Sequence, residues 1–370
     1  MRITLKLSNQ SRYFAGAARL VLLLACAFAG ASRSAEPLSL YAANIEVQAQ
    51  SASEERRALR AGLAEVLVKL SGDRAAAERQ EVQAALVAPR EFVTSFGFVS
   101  NAGALALRVD FSAEAVDQLV RSARLPVWPA QRQPLLLWVQ LDRLPLGRHW
   151  LDYSSDSDLL AVLEEVMRMR GMPWRLPEFD LRDRLAVADN RALLLDSELL
   201  SAASQRYTLP VARQRWAALR LVTSSNGSAR GSWVQTMTDQ LQQGELAALP
   251  ELEQWSEWLH AAVDRVVARE AYLPTLQAGE IVLAIGAVEA MRDYHQLMEV
   301  LEEIEPLRSV RLTRLDLRHV ELAALAEGDR ERVKNALLAS GFFAPIIYDG
   351  QDEPEQTAGR IELIWRGGRD

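Results

Sequence analysis

The chain has four histidines and one cysteine, so few reactions are open to it. His149, His260, His295 and His319 never share an i, i+3 or i+4 spacing, and no helix face can present a paired metal site. Each imidazole stands alone and reads as a packing or surface residue. Asp152-Tyr153-Ser154-Ser155-Asp156-Ser157-Asp158 is the densest acidic stretch. A calcium loop of the EF-hand type needs a glycine at its sixth position and a glutamate at its twelfth. Here the glycine is absent and the twelfth residue from Asp152 is Leu163. Helix capping and charge against the helix dipole account for the cluster, with Ser155-x-x-Asp158 as the capping box. Gly227-Ser228-Ala229-Arg230-Gly231 misplaces the serine of a nucleophile elbow. Gly286 stands alone after a strand and makes no dinucleotide fingerprint. Asn226-Gly227-Ser228 matches a glycosylation sequon, but turn chemistry explains it. Glu164-Glu165 and Glu302-Glu303 fall on polar helix faces. The sequence therefore assigns no catalytic, cofactor-binding or metal-ligating residue, and it implies no cofactor. A carboxylate pair acting as acid and base leaves no local spacing to find.

Nine tryptophans form no stripe. Trp255 and Trp258 share an apolar helix face, whereas Trp128, Trp138 and Trp365 flank or lie in strands. Most are expected as core or inter-domain filler, and an exposed subset would mark a partner surface. Only Lys6, Lys69 and Lys334 are lysines, against 39 arginines spread along the whole chain. That spread fits coding bias rather than a recognition patch.

Hydrophobic periodicity sets the elements that must hold these residues. Leu40 to Val47 alternates as a strand, and Ser53 opens a helix carrying Leu59, Leu63, Val66, Leu67 and Leu70 that ends at Ser71-Gly72-Asp73. A short helix over Val82 to Val87 follows, then strands over Phe92 to Val99 and Leu105 to Phe111, and a helix over Val116 to Ala123. This β-α-β-β-α order is the start of a ferredoxin-like split pattern. Pro134 to Leu141 reads as a strand covered on both faces. Helices at Leu159 to Met167 and Glu198 to Arg206, an edge strand at Trp174 to Phe179, and a hairpin of Leu219 to Thr223 with Ser232 to Thr238 suggest an α/β layer. Asn226-Gly227 marks that hairpin as type I′, and a long amphipathic helix from Leu252 to Val266 closes the block. Strand, helix, two strands, helix and strand recur from Ile281 to Trp365, so the last block repeats the topology of the first. The expected fold is α/β, with two ferredoxin-like β-α-β-β-α-β blocks flanking an α/β layer domain. The boundaries are 36–130, 131–275 and 276–370.

Residues 1–35 read as a signal peptide. Arg2, Lys6, Arg12 and Arg19 precede an apolar run from Leu20 to Ala31 that closes on small residues. This segment holds five of the 42 basic residues and none of the 49 acidic ones. Its removal leaves 37 basic residues against 49 and moves the formal charge from −7 to −12. Such a balance points away from nucleic acid and anionic membrane surfaces. The only cysteine, Cys26, leaves with the segment, so the exported remainder folds without disulfide or thiolate zinc site. Leu23-Leu24-Ala25-Cys26 also resembles a lipobox, which opens the alternative of a lipoprotein tethered through Cys26.

The mature start LYAANIEVQAQSASEERRALRAGLAEVLVKLSGD, then LRVDFSAEAVDQLVRSARLPVW and QPLLLWVQLD, resemble the proteobacterial domain-of-unknown-function family 2066. That resemblance implies an exported Gram-negative protein of uncharacterised role and carries no catalytic residue. The middle block is similar in element order to small periplasmic α/β domains of envelope machinery. The expectation is a periplasmic, non-catalytic interaction or assembly module of the cell envelope. Its partners would be envelope proteins, with no nucleic acid and no transmembrane segment once the signal is removed. The alternative is a carboxylate-based hydrolase acting on an envelope polymer or small metabolite.

Overall fold

Ala104–Phe111 alternates because one face of this strand meets a core and the other does not. The first of three sheets forms around it. A computed structural model of the chain describes residues 39–101, 104–143, 147–188, 190–207, 215–237, 240–274, 279–304, 306–316, 319–327, 329–346 and 360–367. The expected signal peptide and Cys26 lie outside the described residues.

The first block runs β1 (Ala42–Glu46), α1 (Ala52–Ser71), α2 (Gln80–Val87), β2 (Val93–Asn101), β3 (Ala104–Phe111) and α3 (Ala113–Ser122). Its sheet has the order β1-β3-β2, antiparallel throughout. Leu59, Leu63, Val66 and Leu67 of α1 and Val116 and Val120 of α3 pack on Leu107 and Val109. Ser51, not Ser53, caps α1: its hydroxyl accepts from the Glu54 amide at 3.3 Å, and the Ser53 hydroxyl only meets it sideways. Gly72 ends the helix at φ 70, in the left-handed region that suits glycine.

The middle block holds β4 (Leu135–Arg143), β5 (Gly147–Trp150), α4 (Ser157–Arg170), β6 (Trp174–Arg175), α5 (Leu181–Ala186), α6 (Asn190–Leu193) and α7 (Ser197–Ser204). It continues with β7 (Arg215–Thr223), β8 (Ser228–Met237), β9 (Gln240–Pro250) and α8 (Glu251–Glu270). The sheet order is β5-β4-β7-β8-β9, with β6 beside β4, and β4 runs parallel to β7. The continuous apolar run of β4 is covered on both faces, as its composition requires. Leu135, Leu137, Val139 and Leu141 meet α4 and α8, including Trp255 and Trp258 stacked at 5.5 Å. Leu136 and Trp138 lie on the other face with Trp216, Ala218, Ala192 and Leu200.

The last block runs β10 (Gly279–Gly286), α9 (Met291–Glu302), β11 (Leu307–Leu315), β12 (His319–Ala326), α10 (Arg330–Ala339), β13 (Phe343–Pro345) and β14 (Arg360–Trp365). Its order is β11-β12-β10-β14-β13, with β14 parallel to β10. The chain is thus a mixed α/β protein of three sheets with interleaved helices.

The first and last blocks share one kernel: strand, helix, hairpin and helix, with the third strand inserted between the first two. They depart differently from a complete split pattern. No described strand lies on the open side of β1; the chain leaves as an extended segment whose Val127 bridges Tyr272. In the last block β14 occupies that side, but parallel to β10, with β13 outside it. Other expectations need correction. Trp174–Arg175 is all that pairs of the strand expected to Phe179, because Pro177 removes a donor from its middle. The β7–β8 turn is not type I′, which needs two consecutive residues at positive φ. Only Gly227 has one, at φ 79, and its N–H donates to the Ser224 carbonyl at 2.9 Å. Thr238, Leu317 and Tyr348, expected as strand ends, lie outside the described residues.

Buried polar groups join the first block to the middle one. Arg170 is 1% exposed; it donates to the Gly72 carbonyl at 3.0 Å and to Asp264 at 2.5 Å. Lys69 is 3% exposed and stays within the first block, reaching the Ala42 carbonyl at 2.8 Å and Glu65 at 2.7 Å, while Glu65 accepts from Arg168 of α4 at 2.6 Å across the seam. Burial holds Arg170 and Lys69 below their ordinary pKa values. Arg132 lies 3.7 Å over the Trp128 ring and donates to the Lys69 carbonyl at 2.7 Å and the Gly171 carbonyl at 2.6 Å. The Trp128 indole N–H donates to Glu270 at 3.0 Å. The last block is attached by a more exposed set: Arg121 meets Glu327 at 2.6 Å, Gln131 meets Glu303 at 3.1 Å, and Arg332 donates to the Ala271 carbonyl.

Candidate functional site

The parallel pair β4–β7 ends at the same level, with Arg143 in register with Thr223. Open α/β sheets bind ligands beyond the carboxyl ends of such strands. Here five polar side chains converge. Asp156 is turned inward, 6% exposed, and accepts from His149 Nε2 at 2.8 Å and from Arg143 at 2.5 Å. Arg143 also reaches Glu251, the first residue of α8, at 2.6 Å. The Thr223 hydroxyl donates to the same Glu251 oxygen at 2.6 Å.

The local chain explains this placement. β5 carries His149 back along β4, and the turn after Leu151 delivers Asp156 to the start of α4. Asp156 is held at φ 48, a left-handed conformation that aspartate tolerates better than most residues. Its carboxylate is engaged by His149 and Arg143 and makes no capping bond. The expected Ser155-x-x-Asp158 capping box does not form, because Ser155 bonds back to Asp152 and the helix starts two residues later. The acidic cluster therefore splits three ways. Asp152 accepts from the Ser154 amide and hydroxyl, Asp156 joins the arginine, and Asp158 faces solvent. Burial pushes Asp152 upward, and its hydrogen bonds from Ser154 and Ser155 outweigh that and leave its pKa low.

An imidazole oriented by a carboxylate is the base half of an acid–base device. Among the described residues no hydroxyl or thiol bonds the His149 ring, and the nearby Thr223 hydroxyl is committed to Glu251. As built, the five groups tie β4, β5, β7, α4 and α8 together at one end of the sheet. No group of three or more His, Asp or Glu side chains suited to a metal ion occurs among the described residues.

The other histidines lie apart in the fold. His260 is on α8 against Arg170, and burial first, then Arg74 and Arg170, holds its pKa down. His295 is exposed on α9 beside Tyr294, and His319 starts β12 near Asp316 at 3.4 Å. Glu165 pairs with Arg168 at 2.9 Å, and Glu303 with Gln131. Gly286 ends β10 opposite His319. All nine tryptophans are buried or half-buried.

A second feature was invisible in the sequence. A groove of about 480 Å³ opens where the middle and last blocks meet. Gln235 of β8, Gln240 and Gln242 of β9, Arg265 and Arg269 of α8, and Glu331 and Asn335 of α10 line it. Arg265 is set in place: its guanidinium lies 3.6 Å over the Trp233 ring and donates to Gln235 at 3.0 Å. Gly244 of β9 leaves room for that ring, since a β-carbon there would come within 3.0 Å of it.

A family model described as a domain of unknown function (DUF8605) matches residues 35–129, the span of the first block. No curated protein and no solved structure matches the chain.

Proposed function

We propose that this chain is an exported, non-catalytic interaction or assembly module of the Gram-negative cell envelope. The supporting observation is how its polar groups are used. Those with chemical potential, His149, Asp156, Arg143, Arg170 and Lys69, are engaged in holding elements and blocks together. One long sheet edge also stands open among the described residues: no described strand lies beyond β9, which is 11 residues long. An unpaired edge is a ready site for a partner chain. The leader-like first 35 residues support that location, and the acidic balance of the remainder is compatible with it. The first and last blocks read as ferredoxin-like derivatives, on the strength of their shared kernel.

In-cell crosslinking followed by mass spectrometry tests this reading. Discrete adducts with the same envelope proteins across repeats are expected, and their absence overturns it. The mass of the mature amino terminus decides between a soluble chain starting near Glu36 and a lipidated Cys26.

A hydrolase would need a carboxylate held protonated near neutral pH. The described carboxylates with displaced titration, Glu54, Asp152, Asp180, Asp196 and Glu327, are all displaced downward. That pattern favours structural ion pairing over acid–base chemistry.

A further inference from the structure

A glycine inside a strand weakens it, and it is kept where the chain bulges, takes a positive φ or is approached closely by another backbone. Within the protomer Gly97 of β2 serves none of these ends. It pairs with Arg108 inside a stretch, Ser95 to Asn101, that follows β3 without a shift. Its φ is not positive, and among the described residues nothing would lie within 4 Å of a β-carbon there. The reason left is an approach from outside the chain.

β2 is also an outer strand without the usual defences of a sheet edge, which are brevity, bulges, charge and proline. No described strand lies beyond it. It is nine residues long, its one shift lies near its start at Val93/Ser95, and it holds no charged residue and no proline. The other outer strands each carry a defence. β5, β6 and β13 have four, two and three residues, and β1 has five and ends on Glu46. β11 has two register shifts with Arg308, Arg311 and Arg314. β9 has Glu245, a shift at Ala229/Gly231 and Pro250. Charges beside β2 are paired within the first block: Arg90, 5.0 Å over the Phe96 ring, meets Glu55 at 2.6 Å, and Arg108 meets Asp110 at 3.7 Å. Glu91 stands two residues before the strand.

The order of side chains selects the occupant. Thr94-Ser95-Phe96-Gly97-Phe98-Val99-Ser100 reads nearly the same in both directions from Gly97. A two-fold axis through Gly97 lays an antiparallel copy alongside so that Phe96 faces the copy's Phe98, Ser95 faces Val99, and Gly97 faces itself. Phe96 and Phe98 are half-buried at the rim of the first core, and such a copy covers the part that solvent reaches with aromatic cross-strand pairs. No like charges meet, and no side chain separates the two backbones on the axis.

We propose that β2 is a self-pairing edge: two copies of this chain join antiparallel through Ser95–Val99, with Gly97 on the two-fold axis, and merge their first sheets into one. The pairing needs no envelope partner and stands apart from the interaction-module reading.

The test uses the full chain in sedimentation velocity. A contact between two short edges is small, so a reversible dimer is expected between about 10 and 500 µM. Gly97→Glu and Gly97→Lys each set a charge against its own copy and should weaken association by about tenfold or more. The lysine variant should lose more, because Arg108 lies across from residue 97 in β3. Mixing the two variants should restore a dimer, since unlike charges then meet on the axis. The open space at Gly97 lets both variants fold, which unchanged thermal melts check. If either melts early, hydrogen exchange of the unaltered chain decides: amides of 95–99 should slow as concentration rises. A monomer throughout, variants that associate like the parent, a mixture no stronger than its components, or concentration-dependent protection at another edge alone overturns the proposal. In cells, a photo-crosslinking residue at Val99 should yield a homodimer, and adducts with other proteins alone overturn self-pairing.

Discussion

The middle block meets its two neighbours in opposite ways. Toward the first block the contact is buried and specific: the almost fully enclosed Arg170 guanidinium bonds to the Gly72 carbonyl across the seam, and Arg132 to the Lys69 carbonyl. Toward the last block it is made of Gln131 on Glu303 and Arg332 on the Ala271 carbonyl, with more solvent access, and an open groove remains between the two. A buried cation left without its partners is costly, whereas exposed pairs contribute little. The first two blocks should therefore unfold as one unit, and the last should separate with less loss.

The strongest way to break this contrast is Arg170→Met. It strips the Gly72 carbonyl and Asp264 of their donor, and because Asp264 is half exposed the cost falls near the low end for buried pairs, about 3 kcal/mol. Urea unfolding followed by tryptophan fluorescence checks it, and a loss equal to that of a surface arginine would refute the distinction. Gly72→Ala should follow, at about 2 kcal/mol. Gly72 is at φ 70, and a β-carbon would sit 2.4 Å from a Val267 methyl of α8. A Gly72→Ala/Val267→Ala pair should recover part of that loss, the steric part, in the same assay.

Glu327→Gln should cost only about 0.5 kcal/mol. Its value lies in pH dependence. Burial raises the Glu327 pKa, but hydrogen bonds from Arg308 and Arg121 outweigh that and bring it below 4.5. A carboxylate depressed in the folded state stabilises fully above its unfolded pKa, and this contribution fades as pH falls through the folded value. Limited proteolysis between pH 6 and pH 3 should thus release the last block earlier in acid, and Glu327→Gln should flatten that dependence.

The sequence makes the first block legible because its signals are local. Alternation marks Leu105 to Phe111, and a single apolar stripe marks α1. β9 escapes this kind of reading: QLQQGELAALP has no β-branched residue, and exposure on both faces removes the alternation that burial imposes. The sheet-end cluster escapes for another reason. His149 and Asp156 are seven residues apart across a turn, and Arg143 and Glu251 are 108 apart, so no helical spacing links them. The one available clue was the polar end of an otherwise apolar strand, Asp142-Arg143, where a parallel neighbour also stops. Asp156 shows how tertiary demand overrides local chemistry, since an ion network recruits a natural capping residue.

The bond from Trp128 to Glu270 spans 142 residues, and the bridge from Val127 to Tyr272 spans a similar length. Chains are made and threaded from the amino end, and domains tend to form as they emerge. The first block holds a core of its own and can condense early, but its seam waits for α8. Until residue 272 has arrived, Trp128 has no carboxylate to meet and Arg170 has no Asp264. The exit segment of the first block therefore has its anchoring partners only after the helix that ends at Glu270 has been made.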